Sequence, residues 1–295
     1  MEIEKTNKDI VFKYDNNKKE MIYYTYKKIH LNLKNRNNSI SNLNLKINKF
    51  TKKNRLLKEY GLNINLKKLK PNLNEIINTY KKSYIYIKLV GKIENKLIIG
   101  LGGHSVIETD ITMHHTYGIP YIPGSALKGV LRNYIIKKYY INDEIKNLKE
   151  LEKEISEDKL FNDIFGGEEN MGGLIFLDSF PEEKVKIKTD IMTPHYPNYF
   201  GSENQCPRDD EKVNPVKFLV LEGDKKEEYD FEFNLFIDKL KVNKKLSDYK
   251  KSEISNSENE NKTLKEFIEL NLKEALELNG IGGKTSVGYG FFSFD

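Results

Sequence analysis

Residues 118–140 read GIPYIPGSALKGVLRNYIIKKYY. Pro123, Gly124 and Ser125 mark the start of a helix, and we expect Ser125 to be its N-cap. The apolar residues that follow recur at helical spacing and form one stripe: Leu127, Val130, Leu131, Tyr134 and Ile135. The stretch therefore predicts an amphipathic helix that packs one face against a core.

Segments typical of β-strands lie on both sides of this helix. Before it, residues 84–90 (YIYIKLV) predict the first core strand and residues 97–103 a second extended piece that ends in glycines. After it, short strands are predicted at 174–177, 218–221 and 229–235, a helix with apolar residues from Leu264 to Ala275 and a C-cap at Gly280, and a last strand in GYGFFSFD. This order predicts an α+β fold with an RRM-like or ferredoxin-like core.

The remaining sequence is predicted to form an N-terminal extension and insertions around that core. Residues 1–82 form a basic N-terminal extension, partly helical, interrupted at Pro71 and packed on the domain 83–295. Within the domain we expect a surface helix in 141–160, a long irregular loop at 188–216 with four prolines, and a mobile polar insertion at 239–262. Residues 218–221 and 229–235 should form a hairpin with EGDKKEE at its tip, the second strand alternating apolar and polar faces.

Charge is distributed unevenly along the chain. Residues 1–82 hold 20 basic and 7 acidic side chains, a net charge of +13, whereas residues 83–295 carry −8. This asymmetry favours a polyanionic partner for the N-terminal part. The alternative is compositional, because a chain rich in Lys, Asn and Ile, without Trp, is also what AT-rich coding DNA produces.

Several protein classes are disfavoured by composition. No run of eighteen apolar residues and no signal-type N-terminal stretch occurs, so we expect a cytoplasmic protein with no membrane partner. The single cysteine, Cys206, excludes a disulfide framework within the chain and disfavours a zinc knuckle, so no metal site is predicted.

The glycine-rich segment NGIGGKTSVGYG, residues 279–290, is the first candidate binding element. It is not a Walker A loop, because position 278 is leucine and the loop follows a helix instead of a strand. Its exposed N–H groups could form an anion nest together with Lys284, Thr285 and Ser286. A tight turn that ends the helix is the alternative.

The helix start at residue 124 is the second candidate. Lys128 and Arg132 lie four residues apart, so they share a face near the positive end of the helix dipole, where an anion would offset their repulsion. Gly129 lowers helix stability by about 1 kcal/mol relative to alanine, which suggests a close approach to the backbone. A solvated helix face is the alternative.

The sequence gives weaker support for a nucleotide cofactor site or for catalysis by a histidine. The run Gly100–Gly103 lacks the third glycine of a dinucleotide fingerprint, since position 105 is serine, and no cofactor is predicted. Sequence alone shows no orienting partner for any of the five histidines: His30, His104, His114, His115 and His195.

Two of these motifs together resemble the RAMP superfamily of CRISPR-associated proteins. GIPYIPGSALKGVLR (118–132) is similar to its signature, and GIGGKTSVGYG (280–290) to its C-terminal glycine-rich loop. GLGGHSVIETDITMHHTYGIPYIPGS (100–125) and DIMTPHYPNYF (190–200) narrow the resemblance to one subunit family of the Cmr complex, the type III-B effector. The resemblance covers roughly residues 84–295.

The resemblance implies an RNA-binding subunit without catalytic residues of its own. Members stack along a guide RNA that pairs with target RNA, and this subunit family lies toward the guide's 3′ end beside other Cmr RAMP subunits. The implied contacts with the guide backbone are Gly124, Ser125, Lys128, Arg132, Gly282, Gly283, Lys284, Thr285 and Ser286. The loop 188–216, with His195, Tyr196, Tyr199 and Phe200, could form a thumb-like element beside the guide–target duplex.

Two alternatives follow from the same resemblance. In the slicing subunits of type III complexes a catalytic aspartate precedes the PYIPGS motif, and Asp110 stands in the corresponding loop here. A RAMP endoribonuclease would therefore cut target RNA through Asp110 or process guides through His114, His115 or His195. A type III-A RAMP subunit is the other alternative, which the phrase MTPHYPNYF disfavours.

Overall fold

The computed structural model describes part of the chain. The described residues are 10–15, 20–25, 42–45, 60–61, 70–103, 109–141, 147–167, 170–181, 185–193, 195–196, 199, 201, 206–208, 213, 215–223, 230–242, 246, 249, 252, 254, 259 and 261–294. The side chains of the first two ranges and of residues 60–61, 70–71 and 241–242 are not described.

Nine strands and six helices are described in these ranges. The strands are β1 Ile10–Asp15, β2 Glu20–Thr25, β3 Tyr60–Gly61, β4 Tyr84–Ile93, β5 Leu174–Phe176, β6 Lys186–Met192, β7 Val216–Glu222, β8 Phe231–Asp238 and β9 Phe292–Ser293. The helices are α1 Lys70–Tyr80, α2 Gly124–Tyr139, α3 Leu148–Glu157, α4 Lys159–Phe165, α5 Lys239–Val242 and α6 Leu264–Leu278, with a 3-10 turn at Thr285–Val287.

The core is a four-stranded antiparallel sheet in the order β5-β8-β4-β9. Along the chain its elements follow as β4, α2, β5, β8, α6 and β9. This is the β-α-β-β-α-β order of a ferredoxin-like unit, so the predicted α+β class and the position of each core strand are confirmed. The last strand is shorter than predicted, with two residues.

One face of this sheet packs beneath α2 and α6. In the register of β4 and β8, Ile87 lies opposite Leu235 and Leu89 opposite Phe233. These side chains share one core cluster with most of the predicted buried stripes, namely Leu127, Leu131 and Ile135 of α2 and Leu264, Phe267, Ile268 and Leu272 of α6. Hydrogen bonds also join the helices, because Tyr134 Oη donates to Glu274 at 2.8 Å and Tyr139 Oη to Asn271 at 3.2 Å.

The opposite face is covered at one end by Tyr80 of α1 and by Lys81, while Lys88 and Val90 of β4 are exposed on it. The Tyr80 ring lies 5.1 Å from the ring of Phe236, which is 0% exposed, and Lys81 Nζ lies 4.3 Å from the centre of the Tyr86 ring. Over residues 231–235 β8 alternates as predicted, because Phe231, Phe233 and Leu235 belong to the core cluster and Glu232 and Asn234 lie on the other face. That polar face is only partly exposed, since Glu232 pairs with Lys88 and Asn234 is buried with its amide oxygen accepting from Tyr86 Oη.

The N-terminal part differs from the predicted weak helices. Residues 10–15 and 20–25 form an antiparallel hairpin, β1 with β2. Pro71 does not interrupt the following helix but is its second residue, where a helix needs no intrahelical N–H donor. Helix formation is therefore limited in this part to α1 and a short piece at 43–45 among the described residues.

A second, three-stranded sheet has the order β3-β6-β7. The predicted hairpin between 218–221 and 229–235 is wrong, because β7 pairs with β6 while β8 belongs to the core sheet. Residues 188–192 of the predicted irregular loop are the end of β6. The second extended piece, predicted at residues 97–103, does not form a strand. It makes a single β-bridge, in which Leu97 pairs with Leu221 of β7.

Two segments predicted to lie on the surface, 141–160 and 239–262, are partly buried. In 141–160, α3 is amphipathic with Ile155 buried, but α4 begins at Lys159 and buries Leu160, Phe161, Ile164 and Phe165. In 239–262, the described residues Leu246, Tyr249, Ile254 and Asn259 are buried. Tyr249 Oη donates to Asp163 at 2.9 Å, so the later part of this segment packs against the core, whereas Leu240 at its start is exposed. Among the helices described, none has the length and apolarity to cross a bilayer.

Candidate nucleic-acid interface

The glycine-rich loop after α6 is a turn fixed by backbone contacts. Asn279 caps the helix and Gly280 follows with φ 68°, which confirms the predicted glycine stop. Gly283 N–H donates to Ile98 O at 2.9 Å, and Gly290 N–H to Lys96 O at 2.8 Å. A side chain at Gly282, where φ is 92°, would collide with Ile98 O, so the loop lies directly on the segment after β4.

A groove of about 510 Å³ separates this loop from α2. Its walls come from both motifs found in the sequence, although these motifs lie far apart along the chain. The lining residues are Ala126, Gly129, Val130, Asn133, Lys137, Leu278, Asn279, Gly280, Thr285, Ser286 and Phe291. The folded chain thus brings the signature helix and the glycine-rich loop to one site.

The groove is mixed in character. Thr285 and Ser286 open the 3-10 turn, whose first N–H groups have no intrahelical partner. Lys137 places an exposed ammonium at the α2 wall, with Asn133 one helical turn before it. Hydroxyls, N–H groups and a cation are the donors that a phosphate accepts from. Sequence reasoning missed Asn133 and Lys137, although their spacing of four and eight residues from Gly129 puts all three on one helix face.

Two of the predicted contacts, Lys128 and Arg132, point away from this groove. Lys128 Nζ donates to the carbonyl of Phe165 at 2.8 Å, and the Arg132 guanidinium lies 5.3 Å from the centre of the Phe161 ring. Both partners belong to α4. Lys128 therefore stabilises the C-terminal end of α4, where a cation is favourable.

The start of α2 is capped from elsewhere in the chain. The N-cap is Pro123, not Ser125, and the prediction for Ser125 is wrong because the helix begins two residues earlier than expected. The buried Gly124 donates its N–H to Asp178 Oδ1 at 2.8 Å. The anion that the sequence suggested for this helix end is thus supplied by the Asp178 carboxylate.

Lys284 also has partners within the chain. It adopts a left-handed conformation at φ 59°, and its ammonium lies 2.6 Å from Met192 Sδ and 5.9 Å from the Phe218 ring centre. These partners belong to β6 and β7. Lys284 therefore faces the three-stranded sheet, while Thr285 and Ser286 face the groove.

An ion pair fixes the same sheet to the loop. Lys96 Nζ lies 2.7 Å from Asp190 Oδ2, and Tyr289 Oη donates to the same oxygen at 3.0 Å. Burial alone would raise the pKa of Asp190, but the hydrogen bonds from Lys96, Ile191 N–H and Tyr289 outweigh it and lower this pKa. The hydrogen bond to Asp190 also raises the pKa of Lys96.

The thumb-like candidates are only partly described. His195 is exposed, Tyr196 is half-buried, and their ring centres are 6.4 Å apart. Tyr199 is exposed, and Phe200 lies outside the described residues. None of the described members of this group lines the groove.

The catalytic alternatives differ in their surroundings. Asp110 is half-buried against Gly103, where an added Cβ would strike its carboxylate. His114 packs among Tyr117, Tyr121 and Phe180, and its Nδ1 accepts from Tyr117 N–H at 3.4 Å. No hydrogen bond among the described residues joins Asp110 to a histidine; His30 and His104 lie outside them.

Comparison with known proteins identifies relatives. A sequence model described as the RAMP superfamily matches residues 91–293. The chain is 28% identical over 246 residues to a protein named CRISPR system Cmr subunit Cmr6 from Pyrococcus furiosus, covering 68% of this chain and 65% of that protein. It is 29% identical over 203 residues to the CRISPR system Cms endoribonuclease Csm3 from Streptococcus thermophilus, covering 67% of this chain and 76% of that one. The chain thus spans less than two thirds of the Pyrococcus relative's length.

A solved structure has the same fold. It is a chain in the cryo-electron-microscopy structure of the type III-B Cmr-beta bound to cognate target RNA, with a TM-score of 0.54 at 18% identity. The superposition covers 97% of this chain and 77% of the other.

Proposed function

The chain belongs to the RAMP superfamily and is similar to Cmr6 of type III-B CRISPR systems, and from this premise we propose that it is a non-catalytic, RNA-binding subunit of a Cmr ribonucleoprotein. It binds the guide RNA backbone near its 3′ end and helps to hold the guide–target duplex in antiviral defence. Its partners are guide RNA, target RNA and other Cmr RAMP subunits.

One observation carries this proposal. The signature helix α2 and the glycine-rich loop, which are separated by most of the domain in sequence, line one groove. Thr285 and Ser286 offer hydroxyl and N–H donors on one wall, and Lys137 offers a cation on the other. A groove with donors on both walls can follow a phosphate backbone without reading its sequence.

The charge of the N-terminal part supports the same partner. Residues 1–82 carry a net charge of +13, which attracts a polyanion over distances comparable to the Debye length. Binding should accordingly weaken steeply as salt is raised, because each neutralised phosphate releases a counterion.

The decisive experiment uses the full chain and a 5′-labelled, guide-like single-stranded RNA, with and without EDTA, scored for both shift and cleavage. We expect a salt-sensitive shift and intact RNA. Ser286→Asp should lower affinity about tenfold, because it sets a carboxylate where a phosphate would lie. Lys137→Gln should lower affinity and reduce the salt slope by about one.

Lys153→Gln is the matched control. Lys153 is also a helical lysine, but it lies on α3 with its side chain 75% exposed and its partner Glu157 at 3.8 Å. It should bind RNA as the wild type does. Affinity that barely changes between low and moderate salt, or that falls equally in Lys153→Gln and Lys137→Gln, would contradict the proposed groove.

A RAMP endoribonuclease is the second candidate, and it is favoured by the similarity to a relative named as an endoribonuclease. Under this alternative, RNA is cut at defined positions and the cuts disappear in Asp110→Asn, or in His114→Gln, His115→Gln or His195→Gln. RNA that stays intact with the assembled complex, in wild type and Asp110→Asn alike, would exclude the slicing form.

A further inference from the structure

Gly129 has no internal reason to be a glycine. It lies within α2, where glycine lowers helix stability by about 1 kcal/mol relative to alanine. Its φ is not positive, and a Cβ built there would meet nothing within 4 Å. Nothing in the described part of the chain therefore packs against this position, and the bare backbone opens onto the groove.

The groove around Gly129 has the chemistry of a nucleotide site. Apolar contact comes from Ala126, Val130 and Phe291, and the amides of Asn133 and Asn279 can each donate and accept. Its volume of about 510 Å³ is within the range of pockets that hold small ligands, roughly 300–1,000 Å³. An apolar floor with polar edges suits a planar base better than it suits a metal ion or a bare phosphate.

We propose that this groove takes one unstacked nucleotide of single-stranded RNA. The base lies against the Gly129 backbone, between Val130 and Phe291, with Asn133 and Asn279 at its edge. The adjoining phosphate lies on Thr285 and Ser286. This inference rests on the proposed function, because it specifies which part of the RNA the groove holds.

The test compares two ligands of equal length on the full chain, nonaadenylate and a nine-unit ribose-phosphate strand without bases. The wild type should bind nonaadenylate about tenfold more tightly, a preference of the size that one base contact produces. Shifting the register cannot restore the contact, since the second strand has no base at any position.

Two variants at one position complete the test. A Cβ at position 129 meets nothing within 4 Å, so Gly129→Leu projects its side chain into the groove and should bind both strands equally. Gly129→Ala, whose Cβ enters the space against which the base lies, should show a smaller preference than the wild type, whereas the control Lys153→Gln should keep the tenfold preference. Thermal unfolding checks that both variants are folded. If the wild type binds both strands equally, or Gly129→Leu keeps the preference, the nucleotide site is wrong while RNA binding stands; if neither strand binds, the proposed function itself fails.

Discussion

Lys96 and Asp190 join the two sheets through an ion pair of 2.7 Å between Nζ and Oδ2. Lys96 directly follows the turn after β4 of the core sheet, and Asp190 lies on β6 of the three-stranded sheet. The carbonyl of Lys96 accepts from Gly290 N–H, and the carboxylate of Asp190 accepts from Tyr289 Oη. One pair thus holds both the second sheet and the glycine-rich loop.

Asp190→Asn should lower the free energy of unfolding by about 1.5–3 kcal/mol, the range for hydrogen bonds to a charged group. The lowered pKa of Asp190 adds a pH dependence. Its stabilisation is present above the unfolded pKa of about 3.9 and is lost as the pH falls through the lower folded pKa.

Urea unfolding at pH 7 and at stepwise lower pH measures both effects. The difference between wild type and Asp190→Asn should shrink below pH 4. Glu157→Gln, which removes an exposed partner of Lys153, should change stability by less than about 0.5 kcal/mol at every pH. A difference between wild type and Asp190→Asn that stays constant down to pH 2 would contradict this role of the carboxylate.

Tyr140→Phe should destabilise the chain and remove part of its alkaline sensitivity. Tyr140 Oη donates to the buried Asp158 at 2.7 Å, and Asp158 also accepts from Ser252 and from Phe161 N–H. Burial, followed by the hydrogen bond to Asp158, strongly raises the pKa of Tyr140.

The sign of this pH effect follows from proton binding. Above about pH 10 the unfolded chain loses the Tyr140 proton while the folded chain keeps it, so stability falls as the pH rises. Unfolding curves at pH 8 and pH 11 should show a smaller loss in Tyr140→Phe than in wild type, after a cost of about 1–3 kcal/mol at pH 8. An equal alkaline loss in the two proteins would show that Tyr140 does not contribute to it.

Lys128→Met should affect stability more than RNA binding. It removes the donor to Phe165 O at the end of α4, which should cost about 1 kcal/mol, while the aliphatic stem is retained. Since this face of α2 contacts α4, RNA affinity should fall less than in Lys137→Gln. Chemical unfolding and the salt-dependent shift, measured on the same preparations, separate the two effects; a larger affinity loss in Lys128→Met would place the guide on the α4 side.

Lys128 also shows what could be predicted from sequence. Local periodicity and turn residues predicted α2, α6, β4 and the glycine stop at Gly280, because these depend on neighbours within a few residues. The partners of Lys128, Gly124 and Lys284 are Phe165, Asp178 and Met192, which only the folded chain brings near. The same holds for β7, whose partner strand depends on long-range pairing and not on its own pattern.

Gly129→Ala should raise the free energy of unfolding by about 1 kcal/mol, with the melting temperature rising by a few degrees. Alanine is the better helix former, and its Cβ meets nothing within 4 Å, so neither strain nor overpacking opposes the gain. Gly172→Ala is the contrasting variant, because a Cβ there would lie 2.5 Å from the carbonyl carbon of Phe165, and it should be destabilising. If Gly129→Ala instead lowers stability, a contact inside the chain requires the glycine, and no external occupant is needed to explain it. A gain in stability means that no internal contact requires a glycine in this helix, which leaves the occupant of the groove as the reason for it.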